Sequence, residues 1–266
     1  MQNKGLACAR NTGMRHAVGE YIFFLDSDDY LYDETVLERC YLEAKRMEVD
    51  VLVTKLKPFA ENPSFERTVV GLRKYLDVAR VEKLRISAEN FLDANYKFSA
   101  VACGKLFKRE FLVKNELNFI SARVVHEDNG FAIKVLSAFP MISASEMISI
   151  CYRIRAGSIT SEINDPVSMK QKNKNMRKAL ADAFAYIKGR KLRVEAKKMI
   201  RMLKQSELYY FYFDINYKPF FAISWMCYKK YVKLFGVTLF KWVKTKQKEE
   251  SLKILYCPIY TNKIFN

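Results

Sequence analysis

The stretch EYIFFLDSDDYL, residues 20–31, ends an apolar run with three closely spaced aspartates, Asp26, Asp28 and Asp29. Like charges this close repel one another, and burial costs each its hydration unless a cation compensates the charge. One interpretation is a turn at the end of a strand, in which Asp or Ser caps the next helix. The other is a divalent metal site, because Mg²⁺ and Mn²⁺ are usually held by one or two carboxylates together with substrate phosphates.

A second acidic pair, Glu127 and Asp128, precedes an apolar segment with helical spacing that begins at about Asn129. Acidic side chains at a helix N-terminus interact favourably with the helix dipole, and this alone would explain the pair. The residue types therefore leave a structural and a functional role open.

The elements that must position these carboxylates alternate between helix and strand. Residues 3–19 predict a short helix entered from a glycine, and residues 20–25 predict a strand buried on both faces. An amphipathic helix is expected at 33–47 and a further strand at 49–56. Short helical connections return the chain in the same direction, so the pattern predicts an α/β fold with a mostly parallel sheet flanked by helices.

The residues around the aspartates carry a more specific pattern. The segments ARNTG and AVGEYIFFLDSDDYL resemble family 2 glycosyltransferases, the inverting enzymes of the Rossmann-like GT-A fold, in which an A-R-N-x-G helix precedes a G-E-Y-I strand that ends in a D-x-D-D-type motif. The matching residues are Ala9, Arg10, Asn11, Gly13, Gly19, Glu20, Tyr21, Ile22, Asp26, Ser27, Asp28 and Asp29.

This resemblance implies roles on the donor side of a glycosyl transfer. Arg10 and Asn11 would bind the nucleotide-sugar donor, with Arg10 against the nucleotide, and Asp26 would lie near the ribose. Asp28, together with Asp26, would hold Mn²⁺ or Mg²⁺ that bridges the sugar diphosphate. A fixed cation suits the reaction, because charge builds on the phosphate oxygens as the nucleoside diphosphate departs.

The resemblance also implies roles for two later segments. The family has an E-D pair where Glu127 and Asp128 lie, so Asp128 would be the general base that deprotonates the acceptor hydroxyl, with Glu127 in support. Residues 152–160, YRIRAGSIT, look like the family's Y-x-x-R-x-G-S-x-T segment, in which Arg155 and Ser158 would close over the diphosphate. The alternative for this segment is a basic surface strand and turn.

The resemblance covers roughly residues 3–160, within which GKLFKREFL, with Gly104 and Lys105 as candidates, looks like the family's acceptor-side segment. The opening β-α-β-α segment of the family, which grips the base, has no counterpart here. We therefore expect residues 1–160 to be a GT-A catalytic region that lacks its first nucleotide-binding segment.

The charge divides the chain into two parts. The net charge is +17, and residues 170–248 carry 21 Lys and Arg against Asp182, Glu195, Glu207 and Asp214, so the remainder is neutral. This shift places a boundary near residues 161–170 and predicts a basic, aromatic, helical region at 161–266, with helices at 169–204 and 207–246.

The basic region is expected to meet a membrane surface rather than cross a bilayer. Its uncharged run at 219–228 is about half the ~20 residues that a spanning helix needs. The aromatic and cationic residues 218–248 suit a helix lying on an anionic membrane, although packing on the catalytic region is the alternative. No nucleic-acid partner is expected, because no binding motif accompanies the charge.

The remaining composition restricts location and chemistry. Six scattered cysteines without a C-x-x-C pair indicate free thiols, and no secretory signal is visible, so we expect a cytoplasmic protein, peripheral on the inner face of the cell membrane if the basic region binds there. With only His16 and His126, a multi-histidine metal site is excluded.

The expected function is the metal-assisted, inverting transfer of a sugar from a nucleotide-sugar donor, with a UDP-sugar as the first expectation. The acceptor would be a saccharide or lipid-linked saccharide hydroxyl, as in polysaccharide biosynthesis. The alternative is a catalytically inactive remnant that acts as a membrane- or partner-binding module.

Overall fold

The computed structural model describes residues 4–90, 94, 98, 100–157, 166–189, 221–226, 229–234, 237–244 and 250–254. The chain divides into two compact units, Met1–Met199 and Ile200–Asn266. The helix and strand predicted around the aspartates are both present, because the first unit begins with α1 (Leu6–His16), β1 (Tyr21–Phe23) and β2 (Tyr30–Leu31).

The rest of the first unit continues the alternation of helices and strands. The segment Pro63–Phe65 forms a single 3₁₀ turn that leads into α3. In chain order the elements are α2 (Val36–Met47), β3 (Val51–Ala60), α3 (Glu66–Leu76), β4 (Val81–Arg85), β5 (Lys105–Lys108), α4 (Arg109–Lys114), α5 (Glu127–Ser137), β6 (Met141–Ile154) and α6 (Pro166–Gly189).

The sheet of the first unit is mixed, in the order β1-β5-β3-β6-β2, with β4 also paired to β6. Strands β1, β3 and β6 run in one direction, as the alternation of helices and strands predicts. The expectation of a mostly parallel sheet needs correction, however, because only β3 and β6 pair in parallel. Strand β5 lies between β1 and β3 and runs opposite to both, and β2 and β4 are antiparallel to β6.

Helix α2 covers one face of this sheet. Its buried stripe of Val36, Cys40 and Ala44 packs against Leu52 of β3 and Leu106 of β5. The stripe has the spacing of one helical face, as predicted. Burial of each large apolar side chain contributes about 2 kcal/mol, so this layer anchors β3 and β5 beneath the aspartate-bearing turn.

The second unit contains strands where the sequence pattern predicted a helix. Strands β7 (Phe221–Met226), β8 (Lys229–Leu234), β9 (Val237–Lys244) and β10 (Glu250–Ile254) form an antiparallel sheet in the order β10-β9-β8-β7. The helical prediction for 207–246 is therefore wrong in these strands. The physical reason is the composition, since β-branched and aromatic residues favour strands and only two residues separate β7 from β8 and β8 from β9.

Helix α6 confirms part of the helix predicted at 169–204, and residues 190–220 lie outside the described residues. Among the helices of the described part of the chain, none combines the length and apolar character needed to cross a bilayer.

Candidate active site

A tight turn carries the three aspartates away from the end of β1. The backbone N–H of Asp29 donates to the carbonyl oxygen of Asp26 at 3.1 Å, which closes residues 26–29 into a turn. Strand β2 follows at once and pairs with β6. The turn is therefore held between β1 on one side and β6 on the other.

Arg10 projects from α1 into the same region. The buried residues of α1 are Ala7, Arg10 and Asn11, which share one helical face, and Arg10 is only 7% exposed. A buried helical face with an arginine on it indicates a polar site rather than a hydrophobic contact, because charged groups are rarely buried unless they are paired.

One guanidinium joins three carboxylates. Arg10 Nη2 donates to Asp26 Oδ1 at 2.8 Å, and Nη1 donates to Glu127 Oε1 at 2.8 Å and to Asp128 Oδ1. Burial would lower the pKa of Arg10, but the charges of Asp128 and Asp26 outweigh it and raise that pKa. The cluster of Arg10, Asp26, Glu127 and Asp128, hereafter the arginine cluster, unites the two acidic motifs of the sequence.

Two further contacts fix the arginine. Its guanidinium carbon lies 5.3 Å from the ring centroid of Phe119 and 5.9 Å from that of Phe24. Asn11 donates to the carbonyl of Phe119 at 3.0 Å and accepts from the Phe119 N–H at 2.9 Å. These bonds of Asn11 hold α1 against the segment that carries Phe119, so the arginine cannot readily swing away.

Helix α5 presents the other two carboxylates in its first turn. His126 precedes it with a left-handed φ of 65°, and Asp128 Oδ2 accepts the backbone N–H of Ala102 at 3.3 Å. Burial, and then the charge of Asp128, raises the pKa of Glu127 to about 7. Burial also raises the pKa of Asp128, while Arg10 opposes the shift. The pair can therefore hold or release a proton near neutral pH.

Lys105, on β5, is the second cation near Asp128. It is 8% exposed and donates to the carbonyl of Val101. Burial lowers its pKa to about 8, and the charge of Asp128 opposes this. The preceding Gly104 has φ +70°, and a Cβ there would lie 2.5 Å from Leu56 Cδ1, so the turn that delivers Lys105 requires glycine.

Two arginines at the C-terminal end of β6 and just after it bind the other two aspartates of the turn, Asp28 and Asp29. Arg155 donates to Asp28 Oδ2 from Nε at 3.1 Å, and its Nη2 also lies 3.1 Å from that oxygen. The Arg153 backbone N–H donates to Asp29 Oδ1 at 2.8 Å, and Arg153 Nε donates to the Asp28 carbonyl at 2.9 Å. Burial raises the pKa of Asp29 to about 6, against the effect of the Arg153 N–H.

The structure thus places the predicted site residues in two neighbouring groups. Arg10, Asp26, Glu127 and Asp128 form the arginine cluster, and Asp28 pairs with Arg155. Ser158 lies outside the described residues. Sequence reasoning missed Arg153, although it stands two positions before Arg155 in the same segment, YRIRAGSIT.

The carboxylates that could hold a cation are those of the turn. Asp28 is 31% exposed in its side chain, and Asp29 Oδ2 is buried with no hydrogen-bond partner in the described structure. Within that part of the chain, no three His, Cys, Asp or Glu side chains group closely enough to hold a metal by themselves. The oxygen donors of this turn fit a hard divalent ion that takes its other ligands from phosphates and water.

Comparison with known proteins finds a family that the first part of the chain resembles. The sequence model named "Glycosyl transferase family 2" matches residues 1–114, which include both the A-R-N helix and the aspartate turn. Residues 1–114 are thus similar to glycosyltransferase family 2.

The similar proteins that carry names come from several bacteria. The chain is 32% identical over 136 residues to the poly(ribitol-phosphate) beta-N-acetylglucosaminyltransferase TarP of Staphylococcus aureus strain N315, covering 51% of this chain and 38% of that protein. It is 25% identical over 235 residues to the cholesterol galactosyltransferase of Borreliella burgdorferi, covering 84% and 60%. The chain thus spans roughly half the length of these relatives.

The solved structures support the fold. S. aureus TarS 1–349 in complex with UDP-GlcNAc matches with a TM-score of 0.55 and 17% identity, over 80% of this chain and 55% of that one. The likeness shows the GT-A fold that the sequence motifs predicted, with the mixed sheet described above. The two acidic groups therefore lie in a GT-A fold.

Proposed function

We propose that the protein transfers a sugar from a nucleotide-sugar donor to a saccharide or lipid-linked saccharide hydroxyl, with inversion at the anomeric carbon. The observation that carries this proposal is the arginine cluster. It joins Asp128, a partly exposed carboxylate with a raised pKa, to Asp26 of the turn that would face the donor. An acceptor oxygen and a donor could meet between these two groups.

Asp128 is the proposed general base. Its side chain is 20% exposed, so an acceptor hydroxyl can reach it, while Arg10 and the Ala102 N–H fix its two oxygens. As the hydroxyl oxygen attacks the anomeric carbon, its proton passes to Asp128 and the bond from that carbon to the diphosphate breaks. Because its pKa is raised, Asp128 is a stronger base than an ordinary carboxylate and accepts the proton more readily.

Glu127 is proposed to support Asp128 rather than to touch substrate. It is 5% exposed and bonds to the same Nη1 atom of Arg10. The pKa of Glu127 is about 7, so this side chain changes its charge near neutral pH. Its charge state alters how strongly Arg10 attracts Asp128.

The donor is proposed to bind at the turn. Asp28, together with Asp26, would hold Mn²⁺ or Mg²⁺, and the bound ion would offset the charge of the departing diphosphate. Arg155, 41% exposed in its side chain, lies beside Asp28, where a phosphate could exchange for the carboxylate. We propose UDP as the nucleotide to try first, since the TarS structures contain UDP-GlcNAc or UDP.

Peripheral contact with an anionic membrane through residues 218–248 is a further part of the proposal, and it would place the enzyme on the cytoplasmic face. The segment keeps its lysines and aromatic residues, now in β8 and β9 of a sheet rather than in a helix. Flotation with anionic liposomes at low salt checks the contact, and a chain that stays at the bottom of the gradient contradicts it.

The deciding experiment compares the full chain with Asp128→Asn in a transfer assay with UDP-sugars and Mn²⁺. Loss of a positioned base should lower kcat by about 10²–10⁴-fold, with donor binding retained. Asp33→Asn is the matched control, because Asp33 is an exposed aspartate that bonds to Arg39 and Thr35 on the surface. Donor binding without any turnover in the unaltered chain would favour the binding-module alternative.

A further inference from the structure

One face of the sheet carries exposed aromatic rings beside the aspartate turn. Tyr30 and Tyr32 are 47% and 42% exposed, whereas Leu31 between them packs into the layer under α2. Alternation along the strand therefore points both tyrosines away from α2. Lys57 and Phe59 of β3 lie on the same face of the sheet as the two tyrosines. Lys57 pairs with Cys151 of β6, which also pairs with Tyr30 of β2. Phe59 pairs with Arg153, two positions further along β6.

Small residues on β6 let these side chains meet across the middle strand. Cys151 pairs with Tyr30 on one side and with Lys57 on the other. Ser149, whose carbonyl accepts the Tyr32 N–H, is fully buried, and Cys151 is 8% exposed. Both side chains are small, so they do not separate the larger side chains of β2 and β3 on either side. Strand β6 therefore forms the base of this surface, hereafter its floor.

Two diagonal contacts close over this floor. The rings of Tyr30 and Phe59 lie 5.4 Å apart between centroids, and Lys57 Nζ lies 5.5 Å from the centroid of the Tyr32 ring. These four side chains form a shelf of ring faces with an ammonium group at its edge, hereafter the aromatic shelf.

The aromatic shelf has a positive charge available for a ligand. Lys57 is exposed, and among the described residues no carboxylate lies within ion-pair distance of it, whereas Lys55, two positions earlier, pairs with Asp77. Its cation–π contact with Tyr32 holds the ammonium in place without neutralising it. An anionic group is the complement of such a site.

The aromatic shelf is joined directly to the proposed donor site. The Arg153 guanidinium carbon lies 5.6 Å from the Phe59 centroid, while Arg153 Nε donates to the Asp28 carbonyl. One side chain thus borders both surfaces. A molecule lying on the rings would extend towards Asp28.

We propose that the aromatic shelf binds the acceptor, as an acidic saccharide chain, with a sugar ring on Tyr30 and Phe59 and a phosphate or carboxylate group at Lys57. This rests on the proposed function and specifies its acceptor. The C–H face of a sugar ring stacks on an aromatic ring, its hydroxyls remain free to bond at the edges, and few polar groups then fix its orientation. Arg153 would guide the chain from the shelf towards Asp28.

The test is binding of the full chain to a printed array of neutral saccharides and of saccharides that bear phosphate or carboxylate groups. Tyr30→Ala and Phe59→Ala should each weaken binding of the acidic saccharides about tenfold. Tyr30→Phe keeps the ring and should stay within about twofold of the unaltered chain. Lys57→Gln should remove the preference for acidic over neutral saccharides.

The matched control is Tyr41→Ala, an exposed tyrosine on α2, on the other side of the sheet. Thermal melts of every variant show whether it folds, and Lys57→Gln, a change at an exposed residue, keeps the test valid if an alanine variant does not fold. Failure of the unaltered chain to retain acidic saccharides, full binding by Tyr30→Ala, or equal loss in Tyr41→Ala would overturn the proposal.

A second readout separates this proposal from the proposed function. Tyr30→Ala should keep the Mn²⁺- and UDP-dependent rise in melting temperature, because the Tyr30 ring packs on Phe59 whereas the nucleotide is proposed to bind at Asp28 and Arg155. Loss of saccharide binding with that rise intact supports the shelf. A chain that binds acidic saccharides through Tyr30 but shows no UDP effect contradicts the transfer reaction and leaves the shelf standing.

Discussion

Gly130 lies against the backbone of Ala179, so that a Cβ at position 130 would come within 2.5 Å of the Ala179 carbonyl oxygen. This contact brings α6 onto α5 one turn after Glu127 and Asp128. Gly130→Ala should therefore destabilise the protein by about 2 kcal/mol, because the backbone of α6 must move, although alanine favours the helix by about 1 kcal/mol. Urea unfolding measures the change.

Gly13 is the matched control for this prediction. It also lies inside a helix, but a Cβ there would meet no atom within 4 Å. Gly13→Ala should stabilise the protein by about 0.5–1 kcal/mol through helix propensity alone. If both substitutions shift stability in the same direction, the close contact between α5 and α6 is wrong.

Arg10→Met should be among the most destabilising single substitutions in the first unit. It leaves Asp26, Glu127 and Asp128 without their shared cation, and loss of one partner of a buried ion pair costs about 3–5 kcal/mol. The loss measured at pH 7.5 should shrink at pH 5, where Glu127 binds a proton. Urea unfolding at the two pH values checks both points.

Arg39→Met is the surface comparison for Arg10→Met. Arg39 pairs with Asp33, and their side chains are 46% and 39% exposed. An exposed pair of this kind contributes about 0–1 kcal/mol. An equal cost for the two substitutions would mean that the arginine cluster is solvated rather than buried.

Sequence reasoning singled out most residues of the candidate site but not the contacts between them. The motifs singled out Arg10, Asp26 and Asp128 separately, whereas the structure joins all three through one guanidinium. Arg10 and Asp128 are far apart in sequence, and no local pattern reports such a tertiary contact. The roles in nucleotide and metal binding that the sequence predicts for these residues stay predictions.

The fold was predictable where local periodicity is strong. The buried stripe of α2 follows helical spacing, and the strands around the aspartates follow apolar runs. The position of β5 between β1 and β3 depends on long-range pairing, which periodicity does not contain. In the second unit, lysines interleaved with aromatics at 229–244 suggested a helical surface, but β-propensity prevailed.

Glu127→Gln should make stability less dependent on pH. The pKa of Glu127 rises from 4.5 to about 7 on folding, so between those values the folded chain holds a proton that the unfolded chain has released. The contribution of protonated Glu127 to the free energy of unfolding is therefore fully present below pH 4.5 and is lost as the pH rises through 7. Glutamine cannot ionise, and at pH 8 the variant should be more stable by about 3 kcal/mol.

Glu20→Gln provides the opposite case. Its hydrogen bond with Lys45 lowers the pKa of Glu20, so its contribution is present above the unfolded pKa and is lost as the pH falls. Thermal melts from pH 4 to pH 8 should show Glu20→Gln destabilised, if at all, only at the higher pH. A Glu127→Gln variant that loses stability at pH 8 would contradict the raised pKa.

Asp28→Ala should abolish the Mn²⁺-dependent part of the rise in thermal stability with UDP while leaving the chain folded. A ligand present at a hundred times its Kd stabilises the folded state by about 2.7 kcal/mol, which a melt detects readily. The carboxylate of Asp28 bonds to Arg155, and its removal frees that arginine without burying a charge, since Arg155 is 41% exposed. Stability without ligand should therefore change by less than about 1 kcal/mol.

Asp33→Asn is again the control, because its carboxylate lies on the surface, bonded to Arg39, and should not affect the UDP response. Arg155→Gln separates phosphate from metal contacts: it should weaken UDP binding both with and without Mn²⁺, whereas Asp28→Ala should remove only the part that depends on the ion. An Asp28→Ala chain that keeps the full Mn²⁺-dependent shift would place the metal elsewhere. A shift of equal size with UDP alone in the unaltered chain would show that binding needs no metal.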